Sequence, residues 1–234
     1  MSRTSRFVLA MTFPVLSLIG ASVAAQIPSS SSNLKGREKS EAEGYAIVRK
    51  VAGCTISDSR SRPIALLASA PGSRAEQGIT VAGMSRYERC IPAESGVTFS
   101  ISIWRGAVAE TLYAADFPAG VISRADLDMT PWVLEPLSTI AVAQLGVIHN
   151  FARCIVVAAP GAVRDMMGTE PFSNREMKVI GTMNAAMSGC LGANQKFTTN
   201  RTMLRSLLAE ALYKYSIAQR DGQVAGYSAT SKKN

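Results

Sequence analysis

Ala109-Glu110-Thr111-Leu112-Tyr113 recurs one hundred positions later as Ala209-Glu210-Ala211-Leu212-Tyr213. Working outward at the same offset without a gap, Arg105 matches Arg205, Thr98 matches Thr198, Ala93 matches Ala193 and Cys90 matches Cys190. Glu76 with Glu176, Ser73 with Ser173, Pro71 with Pro171, Cys54 with Cys154 and Ala52 with Ala152 complete the set. Thirteen identities fall within positions 52–113, where chance supplies about three or four. The chain reads as a tandem duplication, so a structure assigned to one copy is expected of the other.

Within each copy the signals are helical. Ile140, Ala143, Val147, Phe151 and Cys154 fall at steps of three and four, which predicts one buried face of an amphipathic helix. Tyr45 to Cys54 is its shorter counterpart. A short second helix is expected at Pro63 to Ala68 and at Pro160 to Met167, with Gly168 as its stop. Ser73-Arg74-Ala75-Glu76 and Ser173-Asn174-Arg175-Glu176 are both capping boxes, in which serine and glutamate satisfy orphan N–H groups reciprocally. The helices they open should run to Cys90 and Cys190, and Phe172 is placed to staple onto Met177. A fourth helix should begin near Ile101 and Arg201, after Ser100 and Asn200 as caps. Trp104, Val108 and Leu112 form its apolar stripe, repeated by Leu204, Leu208 and Leu212. Val97 to Ile103 alternates like a strand, but Phe197 to Met203 does not, which favours an extended approach to the helix. The expected fold is mainly α, two tandem four-helix repeats with one disulfide inside each.

The first 25 residues have the parts of a secretory signal: Arg3 and Arg6, an apolar stretch from Phe7 to Ile19, then small residues ending in Val23-Ala24-Ala25. Cleavage near Ala25 is expected to deliver the chain to the periplasm or the medium. No segment is long and apolar enough to span a bilayer, including Thr139 to Ile148. Residues 26–41 read as a flexible lead-in, 42–115 as the first repeat and 116–139 as a Pro-containing linker. Residues 140–216 read as the second repeat and 217–234 as a disordered tail.

In an exported protein, four cysteines in two equal pairs most simply form two disulfides, and the duplication favours Cys54 with Cys90 and Cys154 with Cys190 over the other pairings. Zinc would want closer ligand spacing, and no Cys-x-x-Cys redox motif is present. The net charge of +8 falls to +6 once Arg3 and Arg6 are removed, and it is spread rather than clustered. With 6% aromatic residues, a nucleic-acid binder that stacks bases is not expected. A single histidine, His149, excludes His-rich metal sites and leaves no obvious catalytic triad; its counterpart Arg49 suggests an exposed position. Asp126 and Asp128 lack the further ligands of a calcium loop. Met166, Met167, Met177, Met183, Met187 and Met203 read as core filling, with a soft groove or copper(I) site as the other reading. No Walker loop, nucleophile elbow, zinc-protease or dinucleotide motif occurs, and no cofactor is implied.

Beyond the caps and Thr98, the polar residues shared by both copies are Arg105, Glu110 and Tyr113 with Arg205, Glu210 and Tyr213. One reading makes Glu110 and Glu210 a pair of acids across an inter-repeat cleft, able to do general acid–base work or hold a cation. The other has each glutamate anchor its own helix by bonding an arginine or a backbone donor, and an exact repeat supplies no asymmetry between acid and base. The helix ending in Cys, then Pro-x-Ser-x-x-Glu, then Cys, then Arg-x-x-x-Ala-Glu-x-Leu-Tyr resembles a group of exported bacterial proteins. These share a short cysteine-bearing helical repeat with no assigned activity, so the likeness, over 42–115 and 140–215, transfers no functional residue. The expected role is a non-enzymatic binding or structural module whose partner is an unidentified protein or envelope component. The alternatives are an envelope hydrolase or metal-dependent enzyme using Glu110 and Glu210, and weak binding to anionic envelope polymers.

Overall fold

A computed structural model describes residues 41–91, 98–118, 140–191 and 197–221. The expected signal and lead-in up to residue 40, residues 92–97, the expected linker from 119 to 139 with Asp126 and Asp128, residues 192–196 and residues 222–234 lie outside them. The described residues form nine helices and no strand. Four belong to the first half: α1 (Glu41–Asp58), α2 (Ser61–Ala68), α3 (Arg74–Cys90) and α4 (Ile101–Asp116). Five belong to the second: α5 (Ile140–Ala158), α6 (Pro160–Met167), α7 (Asn174–Thr182), α8 (Asn184–Gly189) and α9 (Arg201–Asp221). No single helix among the described residues is long and apolar enough to cross a membrane.

The starts of the helices follow their caps. Ser73 Oγ accepts from Glu76 N at 3.1 Å, and Ser173 Oγ from Glu176 N at the same distance. The glutamates reach one residue further back than expected, Glu76 Oε2 accepting from Gly72 N at 2.6 Å and Glu176 Oε2 from Phe172 N at 2.8 Å. Gly72 and Phe172 both have left-handed backbones, φ 76° and 65°, which directs those N–H groups at the carboxylates. The Phe172 staple does not form: Met177 is 54% exposed, and the Phe172 ring lies under the Arg201 guanidinium at 5.2 Å. Ser100 and Asn200 cap α4 and α9 as expected, accepting from Ile103 N and Met203 N.

Four sequence expectations are corrected. The third helix of the second half does not run to Cys190. Met183 N donates to the Ile180 carbonyl at 3.0 Å and the Thr182 hydroxyl takes the Val179 carbonyl, so the ladder tightens, α7 ends, and Met183 turns fully inward. Residues 217–221 are not tail but the last turn of α9, with Ala218 and Gln219 buried. Helix α2 begins at Ser61, ahead of Pro63, and Glu41 and Asp116 are helical rather than part of the lead-in and linker. Lastly, the buried face of α5 is rotated from the expected one. Val147 is 55% exposed and Cys154 is also exposed, while Ile148, Phe151, Ala152, Ile155 and Val156 face the core.

The disulfides account for that rotation. Cys154 points outward because it is bonded to Cys190 beyond α8, and Cys54 is bonded to Cys90 at the end of α3, each with Cα atoms 5.7 Å apart and a sequence separation of 36. Closing a loop of this length stabilises by roughly 4 kcal/mol through the unfolded state. Reduction should therefore lower the urea midpoint in two additive steps, measured on the single and double Cys→Ser variants.

At the centre lie α4 and α9, each buried nearly all round, with α1 packed on α4 and α5 on α9. Gly106 meets Ser206 and Tyr213 reaches Asp116, so the two helices run in the same direction. A Cβ on Gly106 would lie 2.3 Å from both Cα and Cβ of Ser206. Glycine is required here because the two backbones touch. Ala107, Val108 and Leu112 from α4, and Leu207, Leu208 and Leu212 from α9, are buried in the core around this pair. Met166 and Met183 are fully buried, the core role expected of them.

Candidate functional site

The four glutamates and two arginines shared by the halves meet in this core, and they pair crosswise. Arg105 Nε and Nη2 donate to Glu210 at 2.9 and 2.5 Å, a two-pronged contact from α4 to α9. Its Nη1 donates to Glu76 Oε1 at 2.9 Å and to the Leu66 carbonyl at 2.8 Å, and Nη2 also reaches the Ser69 carbonyl at 3.0 Å. Arg205 repeats the pattern with the roles of the halves exchanged. Its Nε and Nη2 donate to Glu110 at 3.1 and 2.8 Å, its Nη1 to Glu176 at 2.7 Å and to the Met166 carbonyl at 3.1 Å, and its Nη2 to the Thr169 carbonyl at 3.1 Å.

Each arginine thus joins three things. It takes the capping-box glutamate of its own half, carbonyls at the C-terminal end of its own short helix (α2 or α6), and the helix glutamate of the opposite half. A guanidinium has five fixed N–H donors and matches this set; an ammonium would not. The carbonyl contacts place a cation at the negative end of the helix dipole. Burial lowers the Arg105 pKa, but Glu210 and Glu76 outweigh it and raise the pKa above the ordinary arginine value. Burial likewise pushes Glu210 up, and Arg105, Lys214 and His149 overrule it, holding the carboxyl well below its usual range.

Each glutamate does bond an arginine, as one of the two readings had it, and that arginine comes from the other half. The sequence held a signal for this. Arg105 and Glu110 are five residues apart, as are Arg205 and Glu210, and on a helix that spacing points the side chains about 140° apart, so neither pair closes within one helix. The second role of Glu76 and Glu176, bonding an arginine as well as a cap, was also missed; their recurrence alongside Arg105 and Arg205 is the pattern that marks it.

The surroundings differ at the two ends. Glu110 also accepts from Tyr45 Oη at 2.8 Å and lies 3.4 Å from the half-exposed Arg49. Burial and Glu110 raise the Tyr45 pKa far above its ordinary value. Glu210 accepts from Lys214 Nζ at 2.6 Å and has His149 Nδ1 at 3.9 Å. His149 is 4% exposed, not a surface residue as Arg49 had suggested. Burial lowers its pKa to about 4, against the pull of Glu210, and lowers Lys214 to about 8.

Tyr113 and Tyr213 part company. Tyr213 Oη donates to Asp116 at 3.2 Å, and burial together with Asp116 raises it to about 12; Asp116 is also bonded to Arg60. Tyr113 stacks on Phe117 at 5.6 Å, Phe117 meets Tyr213 edge-on at 6.2 Å, and Arg220 lies over the Phe117 ring. The tyrosines close the end of the α4–α9 pair with an aromatic cluster rather than sharing one chemical task.

Glu110 and Glu210 are 4% and 1% exposed, and each is held by two nitrogens of an arginine. A general acid or base needs reach to a substrate proton, and neither carboxylate presents an open oxygen to solvent. Among the described residues no three His, Cys, Asp or Glu side chains gather as a metal-ligand set. Comparison with protein families, with characterised proteins and with solved structures finds no match to this chain.

Proposed function

We propose that the protein is an exported, non-enzymatic binding or structural module built from two copies of one disulfide-braced, four-helix unit. The second copy's third helix is broken into α7 and α8. The observation that carries this reading is the crossed pairing: the shared charged residues are consumed in holding one half to the other. The equivalent contacts of Arg105 and Arg205, at an offset of one hundred, support the duplicated unit. Two disulfides fit an extracellular or periplasmic protein, and the signal-like first 25 residues support export. The module's surface, not its core, is then what meets a partner.

Glu110→Gln and Glu210→Gln test the assignment. A carboxylate spent on shape stabilises the fold, so each variant should lose about 3 kcal/mol in chemical denaturation. A carboxylate kept for catalysis is a cost to stability, and its amide variant would be as stable as the parent or more so. Unchanged or raised stability in both variants would return the enzyme reading to the front.

A further inference from the structure

We propose that the contact between α5 and α9 is an acid-released latch, in which protonation of His149 opens the Glu210 end of the seam while the Glu110 end stays shut. The proposal needs neither the export nor the duplication. It rests on the unequal surroundings of two otherwise matched carboxylates.

His149 is buried on α5 with its Nδ1 3.9 Å from Glu210 Oε2. That carboxylate already holds two cations, Arg105 from α4 at 2.5 Å and Lys214 from α9 at 2.6 Å. Arg153, one turn further along α5, is buried too and adds its field at Lys214. Of the other helices against α5, α8 carries no charged residue, and Arg164 and Asp165 of α6 are exposed and bonded to each other at 2.9 Å. Among the described residues, a proton on His149 therefore brings one more cation beside a carboxylate, Glu210, that already holds two. At the other end the groups facing Glu110 from α1 are Arg49, half-exposed, and Tyr45, which stays protonated as pH falls. Nothing facing Glu110 from α1 changes charge in mildly acidic solution.

The sign follows from linkage. The folded pKa of His149, about 4, lies below its ordinary value, so the open state binds the extra proton. The closed seam is fully favoured above about pH 6.5 and loses roughly tenfold in its closing equilibrium for each pH unit down to about 4. The Cys154–Cys190 bridge keeps α5 tied to the end of α8, so opening loosens α5 without detaching it.

Because His149 is the chain's one histidine, its imidazole signals report without overlap. On the oxidised full chain, NMR titration should place its native pKa near 4, and amide exchange, corrected for intrinsic rate, should show α5 losing about tenfold protection per pH unit below about 6.5 while α1 keeps its own. In His149→Gln, which takes up no proton, the acid dependence of α5 should vanish. A native titration near 6.5, equal losses in α1 and α5, or an unchanged acid dependence in His149→Gln would each overturn the proposal. The first two readings need no variant.

Discussion

Arg205→Met is expected to destabilise the oxidised protein by about 3–5 kcal/mol in urea denaturation. The loss is large because the side chain has no redundant contact. Removing it leaves Glu110 and Glu176 buried without the cation they share, and takes a donor from the carbonyls of Met166 and Thr169 at the end of α6. Glu110 retains Tyr45 and the more distant Arg49, and Glu176 retains Arg201, which limits the damage without repairing it. Methionine fills much of the volume, so the loss reports charge and hydrogen bonds rather than a cavity. Arg205→Lys should recover only part of it, since one ammonium cannot span both carboxylates and the helix end. A loss below about 1 kcal/mol would mean the ion pairs do no more than a surface pair does.

Gly106→Ala carries the second large effect, and its sign is opposite to what helix propensity gives. Alanine is better than glycine in a helix interior by about 1 kcal/mol. At Gly78, in α3, a Cβ would meet nothing within 4 Å, and Gly78→Ala should stabilise by about 0.5–1 kcal/mol. At Gly106 the added methyl would lie 2.3 Å from the backbone of Ser206, so α4 and α9 must separate. Moving them also lengthens both crossed ion pairs, and the cost should reach about 3 kcal/mol, the upper end of ordinary overpacking. Ser206→Gly in the same chain should rescue this only partly, because the Cα and carbonyl oxygen of residue 206 remain in the way. Thermal denaturation of the three variants separates the two terms.

Much of the helical framework was legible because it depends on local chemistry. Ser73, Ser173, Ser100 and Asn200 each mark a helix start that their own side chains make. The equal spacing of the cysteines supplied their pairing, since a repeated unit limits which partners are equivalent. What escaped was set by tertiary contact. Helix α5 is so uniformly apolar that periodicity does not choose its inner face; the outward pull on Cys154 and the inward demand of Glu210 on His149 do. The break at Met183 follows from burying one flexible side chain, which no turn residue announces. The crossing of the arginines was hidden for a different reason. The matched positions offer equivalent partners in either half, and pairing them residue by residue treats a contact within a half and a contact between halves alike. Helix geometry separates the two, through the five-residue spacing of Arg105 and Glu110.

A double-mutant cycle tests that crossing most directly. Arg105→Met and Glu210→Gln, made singly and together in the oxidised chain, should show a coupling of about 1.5–3 kcal/mol, because Arg105 Nε and Nη2 both bond Glu210. The matching cycle between Arg105 and Glu110 should give a coupling near zero, since Glu110 is held by Arg205. Strong coupling of Arg105 to Glu110 with none to Glu210 would place each ion pair inside its own half and contradict the account.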